Sequence, residues 1–423
     1  MSIAQSGLRG TLVPFVLASA LAMAGCGGDP AEPASGGEAP RTPLHVALYP
    51  YIPDAAGDGF QALLARIEGE FEEDNPDVDL TLRSFDQPEA FYDVEQLSGM
   101  LGDPPGEGGF HVVEIDTVLL GELAERGLAP RWEIPSDSGA FHPAASAATV
   151  WGGAARGVPR WMCGFYVLAE DPALARAANL DALLAAVEGA AGEGPFEGNY
   201  VSDWDLTAMY LSAWADTHGS ADLGAALDAP VDAALAGRLA ELAGTCSEGT
   251  ANPCVDGTYY NEWDAPAERF AAGEIPAMFG YSERLHVALR AGADPASIEV
   301  GRLPLGPAPT PVAFVDALVR RPDCDPACQR AADRFAAYLT APETYAWVLM
   351  SEDAADAPPR YLLPAREDVY ALPALASDPF YPALGASMEG AVPYPNDAIP
   401  DSRIEFFGAL CEALPDGAAC ASY

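Results

Sequence analysis

From residue 44 onward the chain alternates segments with the period of a strand and segments with the period of a helix, and this alternation excludes most architectures. The apolar run LHVALYPY has β character. After the loop IPDAAGDG, Phe60, Leu63, Leu64, Ile67 and Phe71 recur at helical spacing, with acids and Arg66 between them. The helix is predicted to stop before Asn75-Pro76, and Val78, Leu80 and Leu82 then alternate with polar residues as a strand does. The theme repeats. FHVVEID reads as a strand, TVLLGELAERGLAP as a helix ending at a glycine, and GVPRWMCGFYVLAE as an extended segment. Ala-rich helices follow between Pro172 and Leu242, and a further helix is predicted from about Pro326 to Leu339. Such a succession predicts an α/β fold with mainly parallel sheets. No repeat of solenoid length is visible. With 423 residues, half of them apolar, the chain can fill a large core and form two domains.

Charge narrows the partners. Asp and Glu total 63 against 21 basic residues, all arginine, for a formal net charge of −42. Such a surface repels nucleic-acid phosphates and anionic lipid, so nucleic-acid binding is excluded, while cationic ligands are drawn in. The plain explanation of most of this charge is a solvated coat that keeps the chain soluble or suits a salty habitat.

The N-terminus reads as an export signal. Arg9 precedes an apolar run from Leu12 to Ala24 that ends in Met23-Ala24-Gly25-Cys26, too short and wrongly flanked for a membrane span. Residues 1–25 are therefore assigned as a signal peptide. Small residues before a cysteine make Cys26 a candidate lipidated first residue, with ordinary secretion as the alternative. Residues 26–43, rich in Gly, Pro, Ala and Glu, then form a flexible tether. Gly27 after Cys26 favours the outer membrane over inner-membrane retention.

Export implies an oxidising compartment. Besides Cys26, six cysteines form three close pairs: Cys246 with Cys254, Cys324 with Cys328, and Cys411 with Cys420. Disulfides closing loops this short would each contribute roughly 2–3 kcal/mol. Spacing does not fix connectivity. Cys324 and Cys328 could also suggest a metal clip, but a zinc site needs about four ligands and no His lies near them, so no metal is expected. The simplest pairing leaves Cys163 alone, either as a small buried hydrophobe or as a reactive thiol. GDPPGEGG near residue 102 lacks the Lys-Ser/Thr ending of a phosphate loop and reads as a surface loop.

The order of the opening strand, FEEDNPDVDL, VVEIDTVLLGELAERGLAP, GVPRWMCGFYVLAED, ERFAAGEIPAMFGYSE and AAYLTAPETYAWVL resembles extracellular solute-binding proteins over nearly the whole mature chain. The resemblance implies a two-lobed periplasmic-binding-protein-like (type II) fold with the ligand cleft between lobes. Lobe 1 would hold residues 44–162 plus about 300–345, and lobe 2 residues 163–299 plus about 346–423. A monomer is expected.

Four ordered features are more particular: LYPYIPD, Cys163 within the crossover strand, FGYSE ending at Glu283, and FVDAL with Asp316. Together they resemble thiaminase I (thiamine pyridinylase). That resemblance implies that a cysteine thiolate, Cys163, adds to the pyrimidine ring of thiamine, the thiazole leaves as a neutral heterocycle, and a base such as pyridine or an aromatic amine takes its place. Thiamine would be substrate, and no cofactor is expected. Only a few per cent of an ordinary cysteine is thiolate at pH 7. Glu283 is the candidate base, acting on a thiol that stays protonated until thiamine binds. Asp116 and Asp316 could bind the aminopyrimidine or the cationic ring, or serve as helix caps and surface acids. Tyr49, Tyr51 and Tyr281 could stack on flat rings, or simply pack. Trp161 and Phe165 are predicted to share the face of Cys163, as cleft wall or as core. Trp204, Tyr210, Tyr259, Tyr260 and Trp263 are further candidates for the second lobe. The competing reading is a non-catalytic lipoprotein that hands thiamine or another small solute to an ABC transporter.

Overall fold

The computed structural model describes residues 40–83, 88–133, 141–190, 194–198, 200, 202–221, 223–249, 251–259, 262–397 and 399–414. The assigned signal peptide, Cys26, Tyr260 and Cys420 lie outside the described residues, as does the tether up to residue 39. Among the described residues no helix is long and apolar enough to cross a membrane.

In chain order the strands are β1 (Thr42–Ala47), β2 (Val78–Arg83), β3 (Val112–Asp116), β4 (Val150–Trp151), β5 (Ala154–Ala155), β6 (Val158–Cys163), β7 (Phe165–Ala169), β8 (Phe196–Glu197), β9 (Ala277–Tyr281), β10 (Glu299–Arg302), β11 (Val312–Arg320), β12 (Leu363–Pro364) and β13 (Val392–Pro393). One sheet runs β12-β6-β11-β3-β1-β2 with β13 beside β11, and a second runs β10-β7-β9-β8. These two sheets centre the two lobes. The predicted strand–helix–strand opening is present, with β1 parallel to β2 and to β3. The helix Gln61–Asp74 between them buries Leu63, Ile67 and Phe71, four residues apart on one face. Each fully buried side chain of this kind contributes about 1.5–3 kcal/mol.

Parallel pairing does not dominate as expected. β11 lies antiparallel between β3 and β6, and β7 is antiparallel to both β9 and β10. The cause is connectivity: β11 re-enters the first sheet from the second lobe, so it arrives from the opposite end. Strand pairing places the later segments. β10 pairs with β7, so the chain stays in the second sheet through Arg302. Segment 346–423 does not belong wholly to lobe 2, because β12 pairs with β6 and β13 with β11 in the first sheet.

The outward crossing falls at Gly164, between the last residue of β6 and the first of β7. A side chain there would press on the Val312 carbonyl at 3.3 Å. The extended segment predicted through GVPRWMCGFYVLAE is thus two strands in two sheets, broken at its glycine. Cys246–Cys254 and Cys324–Cys328 are disulfides. Cys411 is also disulfide-bonded. Cys163 is the free cysteine among the described residues.

Candidate functional site

The crossing at Gly164 opens onto a cleft of about 1430 Å³ lined by both lobes. Tyr49, Tyr51, Asp116, Cys163, Tyr281, Glu283 and Asp316 all line it. The first sheet supplies one wall through strand register. Asp316 of β11 stands opposite Asp116 of β3 on one side, while Phe314 stands opposite Cys163 of β6 on the other. Directly opposed residues of an antiparallel pair have Cβ atoms about 4.5–5.5 Å apart, so two carboxyls in this position repel strongly.

Burial raises the Asp116 carboxyl to about 7, against opposing hydrogen bonds from the Val118 amide and the Tyr92 hydroxyl. Asp316 is pushed well above the usual carboxylate range by burial, then by Asp116 and Glu114. The nearby buried cation, Arg160, is engaged elsewhere: it bonds Glu114 at 2.7 Å, and the other partner of that carboxylate oxygen is the Tyr49 amide at 2.9 Å. The facing aspartates therefore hold a proton to higher pH than ordinary carboxyls do.

An aromatic cluster adjoins these acids. Tyr92 donates to Asp116 Oδ2 at 3.3 Å, and the Tyr49 and Tyr92 hydroxyls are hydrogen-bonded. Because the Tyr92 proton is committed to Asp116, Tyr49 must be the donor in that second bond. Tyr51 packs against both rings, at 5.1 Å from Tyr49 and 5.8 Å from Tyr92. Tyr92 also packs, tilted, against Trp204 of the helix Asp203–His218, with ring centres 4.5 Å apart. The Arg403 guanidinium lies over Trp204 and bonds Asp203 at 2.9 Å.

The second lobe brings Tyr281 and Glu283 from the end of β9 and the turn beyond it. Tyr281 stacks on Phe165 at 4.8 Å and donates to Asp205 Oδ1 at 2.6 Å. Burial raises Asp205 to about 6, opposed by Tyr281 and Arg284. Burial also raises Glu283, against the nearby Arg284 guanidinium at 3.8 Å. Glu283 Oε2 is buried without a hydrogen-bond partner. The Cys163 thiol is raised well above its ordinary value by burial and then by Asp316, Glu283, Asp116 and Asp205. It rests as a thiol, in electrostatic reach of the buried carboxyl of Glu283. Each arginine lining the cleft is engaged: Arg126 with Glu95, Arg284 with Asp264, Arg290 with the Asp54 carbonyl and Arg403 with Asp203. The net field in the cleft is negative, which suits a cation.

Some candidates lie off the cleft. Phe165 packs in the core, one of the two places expected for it, and starts a new strand beyond Gly164. Tyr210 and Tyr259 are bonded to Asp232 and Glu197, away from the cleft. Trp161, Trp204 and Trp263 do line it. Tyr92 and Asp205 were not singled out from the sequence. Tyr92 sits in the short 3-10 turn Pro88–Tyr92, which has no period to read. Asp205 sits three residues after the helix cap Ser202, where an acid is explained by capping alone.

A model of the bacterial extracellular solute-binding protein family matches residues 69–383. The chain belongs to this family. Among solved structures, this solute-binding protein is similar to thiaminase I from Bacillus thiaminolyticus, with a TM-score of 0.67 and 22% identity over 88% of this chain and 100% of that one. It is also similar to Clostridium botulinum thiaminase I in complex with thiamin (TM-score 0.67, 19% identity, 87% and 97% covered). The GacH receptor of Streptomyces glaucescens, solved with acarbose, is comparable (TM-score 0.63, 16% identity, 90% and 96% covered). At these identities the likeness shows the fold alone. No curated protein sequence matches. The family is extracellular and binds small molecules, which accords with the export signal read at the N-terminus.

Proposed function

We propose that this chain is a thiamine-cleaving transferase of the thiaminase I type. The observation that carries the reading is Cys163, free and half-buried in the cleft wall, with the buried, unpartnered carboxylate oxygen of Glu283 in the same cleft. A receptor that only holds its solute has no use for a free thiol and a base in one cleft. The acids favour a cation, and the Tyr49–Tyr51–Tyr92–Trp204 cluster favours a flat ring, because a desolvated cation over an aromatic face gains about 2 kcal/mol. Thiamine, the ligand of the Clostridium botulinum structure, has both properties.

On this reading Asp116 and Asp316 take the aminopyrimidine, Tyr49 and Tyr51 stack on it, and Tyr281 closes the opposite wall. Glu283 removes the Cys163 proton as the sulfur adds to the pyrimidine ring. The bond from the methylene to the thiazolium nitrogen breaks, and its electron pair makes the thiazole neutral. A base co-substrate then attacks the methylene, and the ring expels the thiolate, which recovers its proton from Glu283. Thiamine is substrate here and no cofactor enters. The protein would act as a monomer held to the cell envelope through a lipid on Cys26. A solute receptor serving a transporter is the second reading, favoured by likeness to the acarbose-binding structure.

The test is thiazole release from thiamine, with and without pyridine, by the soluble chain from Thr42 onward and by Cys163→Ser. Base-stimulated release that falls at least 10³-fold in the variant is the expected result. Tight thiamine binding without release in the wild type would establish the receptor instead.

A further inference from the structure

The mechanism just given leaves one proton unassigned. Pyridine brings none, but an aromatic amine or water must lose one as it bonds to the methylene. Glu283 cannot take it, because it already holds the Cys163 proton and returns that proton to the departing thiolate. A second acceptor is required whenever the nucleophile carries N–H or O–H.

We propose, on the reading of the chain as a thiamine-cleaving transferase, that Asp205 is the catalytic base for protic acceptors, taking the proton that an incoming amine or water loses. Asp205 lines the cleft and is 6% exposed. It comes from the opposite lobe to Asp116 and Asp316, lines the same cleft and lies within electrostatic reach of Cys163. The Tyr281 hydroxyl, donating at 2.6 Å, fixes its orientation, and its place in the first turn of the helix Asp203–His218 makes its backbone rigid. Capping accounts for the backbone of this residue, whose amide bonds the Ser202 hydroxyl, but not for a carboxyl turned into the cleft.

Its surroundings suit a base near neutral pH. Tyr281, Arg284 and the Ser202 hydroxyl favour the charged form, while burial and Asp203 oppose it. Glu283, Cys163 and Tyr394 are also within electrostatic reach. The balance is closed. The nucleophile gains a bond to carbon and loses its proton to Asp205, which passes it to solvent, while sulfur leaves carbon with the bonding pair and regains its own proton from Glu283.

The experiment compares acceptors in one preparation of Asp205→Asn. Transfer to aniline and to water should fall about 100-fold, the scale of a lost general base. Transfer to pyridine should stay within about twofold, which also shows that the variant is folded and its nucleophile intact. The wild-type rate with aniline should rise with pH through an apparent midpoint near 6, a limb missing in Asp205→Asn and restored in part by Asp205→Glu. An equal fall with pyridine and aniline, or no fall with either, overturns the assignment of Asp205 while leaving the transferase reading in place. Wild-type protein that cleaves thiamine with none of these acceptors overturns both.

Discussion

Asp116 and Asp316 are opposed across two strands at a cost to the fold. A carboxyl whose pKa is higher in the folded chain than in the unfolded one holds its proton longer when folded. Below its ordinary value of 3.8, Asp116 is neutral in both states and costs nothing; the cost grows with pH and is complete above about 7. Asp116→Asn keeps an oxygen for the Val118 amide but removes the charge. Its folding stability should exceed that of the wild type by about 1–3 kcal/mol at pH 8, and the gain should vanish toward pH 4. Denaturant midpoints at the two pH values measure this, and a variant less stable at pH 8 would refute the reading of a strained pair. The same variant should lose affinity for thiamine, a trade of stability for function. Cys163, Glu283, Tyr49 and Asp316 were legible in the sequence because each sits in a short motif with a definite place in the succession of segments. Tyr92 and Asp205 were not, since an irregular turn and a helix cap give a side chain no reason to be read as functional.

At the scale of elements, two contacts tie the lips of the cleft. The Arg290 guanidinium, at the end of the helix Arg284–Arg290, bonds the Asp54 carbonyl at 2.8 Å in the loop that follows β1. Gly57 makes this approach possible: its φ is +68°, and a Cβ there would meet Arg290 Nη2 at 2.9 Å. The second contact is the tilted packing of Trp204 against Tyr92 from the opposing lobe. Arg290→Ala removes one bond at an exposed lip, a loss of about 1 kcal/mol, so ligand affinity should fall roughly fivefold with little change in Tm. Calorimetric titration with thiamine checks this, and unchanged affinity would mean the contact does not hold the cleft. The loop itself was legible in IPDAAGDG, but its partner 236 residues away was not. The sheets show the same limit. Period and punctuation gave the strands and helices, whereas the direction in which β11 returns depends on which edge the chain re-enters, and no local pattern records that.

For the whole molecule the decisive quantity is a net charge of −42 with no lysine. A solvated coat explains most of it, yet the coat and the cleft have the same sign, and the arginines at the cleft wall are already engaged with acids or a carbonyl. The negative surface is therefore not offset by unengaged arginines at the cleft entrance. A monocation is steered inward, and a neutral sugar gains nothing. At 0.01 M ionic strength the Debye length is about 30 Å, comparable to a small domain, and at 0.15 M it is about 8 Å, so only the cleft walls still act. The association rate of thiamine should fall on the order of tenfold between these salt concentrations, while the dissociation rate, set inside the cleft, should change little. Stopped-flow fluorescence from Trp204 and Trp263 can follow both rates. A neutral maltodextrin, if it binds at all, should show no such slope. An association rate for thiamine indifferent to salt would confine the role of the charge to solubility, leaving the buried acids alone to select the cation.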